Sequence, residues 1–235
     1  MKTYHKNKKC INSKILEKFF TIKKPIPHEK IFVVWKPKGI SSNQFIQKVK
    51  SKNSYKKIGH GGTLDPLAEG LLLIGVDEGT KKLNEYKNLS KEYVGVIKLG
   101  EVSNTDDKEG EKTKINFKKI PTYSDIDKTL KLFSKIKEQT PPLYSAIKVK
   151  GKEAYKLARQ GEKFFLKPKN VTIYEIKLLK YKWPFLKIKV KTGPGVYIRA
   201  LARDIGKKLK TGGYLWSLTR TKIENFSKKD SLNNQ

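Results

Sequence analysis

The sequence predicts an α+β fold built on a large, mixed but mostly antiparallel sheet flanked by helices, and three observations carry that prediction. Strand-like and helix-like segments follow one another without the regular βαβ beat of a doubly wound parallel sheet. The run Lys91-Glu92-Tyr93-Val94-Gly95-Val96-Ile97-Lys98-Leu99-Gly100 alternates as a strand with one buried face does. No internal repeat is visible. A length of 235 residues allows one large domain or two small ones.

The elements follow in order. Residues 1–28 are Lys-rich and turn-prone, with a short amphipathic piece around 15–20, and read as a mobile basic arm. Ile31-Phe32-Val33-Val34-Trp35 is a compact strand pattern stopped by Lys36-Pro37-Lys38-Gly39; Ser41-Ser42 then caps a helix with apolar positions at Phe45, Ile46 and Val49. Residues 70–76 read as a buried strand, and Gly79-Thr80 opens a helix through Leu83 and Tyr86. Residues 75–81 fail the phosphate-loop pattern, because three residues separate the glycines and Thr80 precedes the lysine. Residues 101–110 carry Asp106, Asp107 and Glu109 but lack the full calcium-loop pattern, and read as a solvated turn. A helix over 125–137, a Pro141-Pro142 break, strands over 171–179 and 185–190, a helix from near Val196 and a strand over 214–219 complete the chain.

Charge narrows the function. The 53 basic and 22 acidic residues leave +31, with a pI near 10.0, the electrostatic footprint of a polyanion binder. Only Arg159, Arg199, Arg203 and Arg220 among the basic residues offer a planar, permanently charged fork. A single cysteine, Cys10, permits no intrachain disulfide. The three histidines are scattered, and no Cys/His cluster has metal-ligand spacing. Leu71-Leu72-Leu73-Ile74 is far shorter than the about 20 apolar residues of a membrane span, and the basic N-terminus lacks the apolar stretch of a secretory signal. These features predict a soluble, cytoplasmic, nucleic-acid-facing protein.

Against that basic background one acid stands out, Asp65, within Gly59-His60-Gly61-Gly62-Thr63-Leu64-Asp65-Pro66-Leu67-Ala68-Glu69-Gly70. Asp-Pro is a good helix start, with Asp65 as N-cap and Pro66 at the first helical position. The capping-box position, however, holds Ala68, and the glycine density beside His60 signals sharp bends or close backbone approach. The stretch resembles the active-site motif of the TruB-type tRNA pseudouridine synthases, G-H-x-G-x-L-D-P-x-A-x-G, at every fixed position. Other segments follow in the family's order. Lys36-Pro37-Lys38-Gly39-Ile40-Ser41-Ser42 resembles K-P-x-G-x-[ST]-S, and Pro141-Pro142-Leu143-Tyr144-Ser145-Ala146-Ile147-Lys148 resembles P-P-x-Y-S-A-[LI]-K. Residues 151–161, with Tyr155, Ala158 and Arg159, resemble G-x-x-x-Y-x-x-A-R-x-G.

The resemblance implies a pseudouridine synthase fold with a central cleft, a catalytic domain over 29–228 and a thumb-like RNA-clamping insertion over 112–166. It implies isomerisation of uridine in the T-loop of tRNA, conventionally position 55, with base flipping. That chemistry needs a carboxylate in a pocket that excludes water, and no cofactor or metal. Asp65 would be the catalytic aspartate, attacking the sugar or first deprotonating it. Arg199 would be its counter-charge, because a buried unpaired carboxylate is costly. Tyr93 would stack on the base, and His60 would fill the vacated place in the RNA stack rather than act as general base. Tyr197 and Leu218 match positions lining the uracil pocket; Lys36 and Lys148 are candidate phosphate or pocket-wall contacts.

The resemblance runs from about Ile31 to Phe226. Bacterial members usually continue into a small C-terminal RNA-binding domain, whereas here only a short tail, 229–235, follows. Affinity is then expected to rest on the catalytic domain, its thumb and its lysines, with a steep salt dependence. The tRNA T-arm is the expected partner, with no guide RNA and no obligatory protein partner, the chain acting as a monomer. The rival class is a non-catalytic tRNA-binding or tRNA-folding module, which would share the charge without needing Asp65. A glycosidase would want a second carboxylate in a comparable setting, and none is found.

Overall fold

The computed structural model describes residues 18–22, 27–149 and 151–233. The chain forms two compact units, Met1–Tyr86 with Phe226–Gln235, and Lys87–Asn225.

The first unit holds β1 (Ile31–Lys36), α1 (Ser42–Lys52), β2 (Ile58–His60), β3 (Ala68–Val76) and the short α2 (Gly79–Lys82). β3 is the central strand, paired antiparallel with β1 from Ile31↔Gly75 to Lys36↔Gly70 and with β2 from Ile58↔Val76 to His60↔Ile74. Leu71, Leu72, Leu73 and Ile74 are all 0% exposed, which is why this strand reads as an unbroken apolar run. α1 starts where the paired serines place it. Ser41 accepts from the Gln44 amide, and the Gln44 side chain returns to the Ser41 amide. The helix buries Phe45, Ile46 and Val49 against Phe32, Val34, Leu72 and Ile74, each such side chain contributing about 1.5–3 kcal/mol.

Two expectations about the chain ends need correction. Phe20 is 4% exposed within this core, its ring 5.7 Å from that of Phe45, so the segment predicted as a mobile arm carries an anchored stretch at 18–22. Apolar burial overrides the basic composition there. The remainder of the arm, residues 1–17 and 23–26, and with it the first half of the amphipathic piece, lies outside the described residues. Leu232 joins the same core, and its amide donates to the Val33 carbonyl at 3.0 Å, so residues 231–233 are part of the packing rather than a loose tail.

The second unit contains β4 (Lys91–Leu99), β5 (Glu101–Ser103), β6 (Lys112–Lys114), α3 (Tyr123–Phe133), β7 (Glu138–Gln139), β8 (Lys148–Val149), β9 (Lys152–Glu153), α4 (Ala154–Arg159), β10 (Lys169–Asn170), β11 (Ile173–Lys182), β12 (Phe185–Thr192), α5 (Ile198–Lys208) and β13 (Gly213–Ile223). Its sheet is antiparallel in the order β13-β4-β12-β11. β4 alternates strictly, burying Lys91, Tyr93, Gly95, Ile97 and Leu99. α5 covers that face, and a Cβ added at Gly95 would touch Leu215, Leu218 and Ile198 at 3.5–3.8 Å. The α+β class and antiparallel pairing match the expectation.

The segment expected as a thumb, 112–166, is partly built into this unit. α3 begins at Tyr123 rather than 125, because Thr122 and Asp125 form its capping box. It buries Ile126, Leu130 and Phe133, and Tyr123 and Tyr181 donate their hydroxyls to the carbonyls of Tyr181 and Pro121 at 2.6 and 2.7 Å. No helix among the described residues is long and apolar enough to cross a membrane.

Candidate active site

In the first unit the dodecamer forms β2, a bend and the start of β3. It does not start a helix, which overturns the N-cap reading of Asp65. Instead the Ala68 amide donates to the Asp65 carbonyl at 3.0 Å, a tight turn with Pro66 at its second position, where a fixed φ suits it. Gly62 has φ +113° and Gly70 φ +124°, so the bends on either side of Asp65 occupy backbone conformations that side-chain-bearing residues rarely adopt. Asp65 is left half-buried.

Three links tie this turn to the Lys36–Ser42 motif. The Ser42 hydroxyl accepts from the Leu64 amide at 2.8 Å and donates to the Leu64 carbonyl at 2.9 Å. The Gly39 amide donates to the Pro66 carbonyl at 2.7 Å. The Lys36 ammonium donates to the carbonyls of Pro37, Ile40 and Ala68 at 2.9, 2.8 and 2.7 Å. Lys36 is 0% exposed, so it is not a phosphate contact. A buried ammonium with three donors facing three carbonyls is a brace for the loop that carries Asp65. Ser42 was also missed as anything beyond part of a cap; the signal was the doubled serine, since Ser41 alone caps the helix. His60 is half-buried, and its Nε2 lies 3.0 Å from Oδ1 of Asn43 on α1, which fixes the ring.

In the second unit Tyr93 is buried on β4, paired across the ladder with Val190 and Arg220. Leu218 pairs with Gly95, so Tyr93, Leu218 and Arg220 share the face under α5. Arg220 is 1% exposed, and sequence reading missed its place there. It lies near Lys91, whose ammonium is held below its ordinary pKa by burial first and by the Arg220 charge second. Tyr197 is the residue before α5. Its amide donates to Oε1 of the buried Gln139 at 2.9 Å and its carbonyl accepts from Nε2 at 3.1 Å, which locks the helix entry. Lys148 is exposed on the β8–β9 hairpin, opposite Glu153.

Arg199, one residue into α5, is 6% exposed and donates to the carbonyls of Thr105 and Tyr144 at 3.3 and 3.0 Å. Within its own unit its acid is Asp107, at 3.9 Å. One helical turn on, Arg203 binds Asp106 at 2.9 Å and Asp204 at 2.8 Å. The stretch 101–110, expected as a solvated turn, is therefore corrected. Asp107 is 5% exposed, accepting from Thr105 Oγ1 at 2.6 Å and the Glu109 amide at 2.9 Å. Burial pushes the Asp106 carboxyl up to about 6, against the pull of Arg203 and Arg199. The loop is also stitched to β13, through Leu215 N to Asp106 O and Lys108 N to Leu215 O, both 3.0 Å. Among the described residues no group of three or more His, Cys, Asp or Glu is arranged to hold a metal ion.

Comparison with known proteins agrees with these features. Residues 50–198 match the TruB family pseudouridylate synthase N-terminal domain. The tRNA pseudouridine synthase B of Prochlorococcus marinus (strain NATL1A) is 42% identical over 202 residues, covering 85% of this chain and 64% of that protein. That of Parabacteroides distasonis is 44% identical over 183 residues, 77% of this chain and 78% of its own length. Among solved structures, a chain in the crystal structure of a Cbf5-Nop10-Gar1 complex superposes with a TM-score of 0.66 at 26% identity, covering 87% of this chain and 52% of that one. The chain thus spans just under two thirds of the Prochlorococcus relative and about half of the superposed structure. With a domain match over more than half its length and relatives above 40% identity, the chain belongs to the TruB family of pseudouridylate synthases.

Proposed function

We propose that this protein isomerises uridine 55 in the T-loop of tRNA to pseudouridine, with Asp65 as the nucleophile or base. The observation that carries this is the dodecamer 59–70, which matches the family motif at every fixed position and presents a half-buried carboxylate on a turn braced by Ser42 and Lys36. The relatives named tRNA pseudouridine synthase B support the same reaction. In it the bond from C1′ to N1 breaks, the base turns, C5 bonds to C1′, and the proton lost from C5 is balanced by one taken up at N1. No atom or electron is gained or lost, so the protein has to supply a carboxylate, a shaped pocket and charge balance rather than a redox partner.

Tyr93 then stacks on the base, an interaction worth about 1–3 kcal/mol; Tyr197 and Leu218 line the uracil, Arg199 balances the carboxylate charge, and His60 fills the vacated stack. Lys148 remains a candidate phosphate ligand, while Lys36 acts through the turn. The protein works in the cytoplasm on the T-arm, without guide RNA, as a monomer. Pseudouridine mapping on an unmodified tRNA transcript, with wild type beside Asp65→Asn, tests this. Conversion at one T-loop uridine by wild type alone is the expected result. Tight binding without conversion by wild type would establish an RNA-binding module instead, and conversion surviving in Asp65→Asn would remove the aspartate from the chemistry.

A further inference from the structure

The sheet of the second unit has two faces, and the proposed chemistry uses one. On β12 Leu186, Ile188 and Val190 are buried, so Phe185 and Lys187 point the other way. On β11 Tyr181 is buried, which turns Lys180 and Lys182 outward, and the register sets Lys180 opposite Lys187 and Lys182 opposite Phe185. Lys98 on β4 lies opposite Phe185 on the same outer face. At the bulge in β13 between Leu215 and Ser217, Trp216 is turned out as well, its ring 5.6 Å from Phe185 and 5.7 Å from the Lys98 ammonium.

Like charges directly opposite on neighbouring strands destabilise a sheet. Other lysines on this face are answered, Lys98 by Glu101 at 2.9 Å, Lys177 by Glu175 at 2.7 Å and Lys189 by Glu92 at 2.8 Å. Lys180, Lys182 and Lys187 are exposed and form no ion pair among the described residues. Beside them Trp216 and Phe185 stay 40% and 38% exposed, where burial would have been favourable. Opposed lysines next to an open aromatic pair on a pleated surface have the chemistry that takes up phosphates and stacks a base or ribose.

We propose that this outer face is a second RNA-binding surface, holding the sugar-phosphate backbone of a segment other than the uridine-bearing loop. Tyr93 and Leu218 lie on the opposite face of the same sheet, and one loop does not engage both sides. The identity of the polyanion as RNA rests on the proposed function; the charge geometry does not.

The test compares two ligands, an unmodified tRNA transcript and the isolated T-arm stem-loop, by equilibrium binding across a KCl series. The variants are the triple Lys180→Gln, Lys182→Gln, Lys187→Gln, its Lys→Arg counterpart, and Trp216→Ala. For tRNA the Gln triple should lower the slope of log affinity against log salt by about 2–3, at roughly 0.9 for each phosphate no longer neutralised. Trp216→Ala should weaken tRNA binding about tenfold. Stem-loop affinity and turnover should stay at the wild-type level, and the Arg triple should keep the wild-type slope. The Gln triple should melt no lower than wild type, since it removes a like-charge pair. An unchanged slope for tRNA overturns the proposal, as does an equal fall with the stem-loop. Because the readout is binding, failure of wild type to convert uridine would sink the reaction proposed for Asp65 and leave this surface standing.

Discussion

The loop that carries Asp65 and the loop that carries Asp106 and Asp107 are held in different ways. Around Asp65 the backbone is restrained: Ser42, Lys36 and Gly39 fix the peptides on either side of it. Around Asp106 and Asp107 the carboxylates are themselves the ties, Asp106 half-buried against Arg203 and Asp107 buried against Arg199, both arginines on α5. A side chain used as a clamp gives up solvation and needs a permanent partner.

Four substitutions test that contrast. Asp65→Asn should cost on the order of 10⁴-fold in turnover, read as pseudouridine formation on a tRNA transcript; turnover near wild type would take the carboxylate out of the reaction. Arg203→Met should instead lower stability by about 1–3 kcal/mol, since it strands a largely desolvated carboxylate; a urea midpoint within error of wild type would show Asp106 to be solvated after all. Asp106 also predicts a pH signature. Its folded pKa, about 6, lies above the ordinary carboxyl value, so the native state holds its proton longer than the unfolded chain. Wild type should therefore lose roughly 2–3 kcal/mol relative to Asp106→Asn as pH rises from about 4 to about 7, through the folded pKa, and level off above. Stability curves at several pH values read this directly, and a difference constant with pH rejects the buried-acid assignment. Ser42→Ala, smallest of the four, should lower stability by about 1–2 kcal/mol through the unsatisfied Leu64 peptide. It should also slow turnover by loosening the turn, and Ser42→Thr, which keeps a hydroxyl, should restore part of both.

The contrast also explains what was legible beforehand. The dodecamer shows itself because its chemistry is local: glycines, proline and acid occur at fixed spacing, and Gly62 and Gly70 are needed at their own φ values. The alternation of β4 and the apolar run of β3 are likewise local patterns. Asp106 and Asp107 looked like a solvated turn because the arginines that bury them lie more than 90 residues away in sequence. Lys36 read as a phosphate or pocket-wall contact because nothing near it announces three inward carbonyls; the one cue was its position at the end of the strand that opens with the buried Ile31–Val34 run. Phe20 and Leu232 stood in Lys-rich or polar surroundings, and only the core they fill reveals their burial.

That core has a consequence for the order in which the protein is made. The second unit is one continuous stretch, Lys87–Asn225, whereas the first gathers residues from both sides of it. β1 obtains part of its pairing from Leu232 and from Asn233, whose side chain accepts from the Trp35 amide at 2.6 Å and donates to the Trp35 carbonyl at 3.1 Å. During vectorial synthesis the inserted unit has all its strands once residue 225 has left the ribosome, while the earlier-made unit waits for residue 233. The loop that bears Asp65 thus sits in the unit that is begun before the other and completed after it.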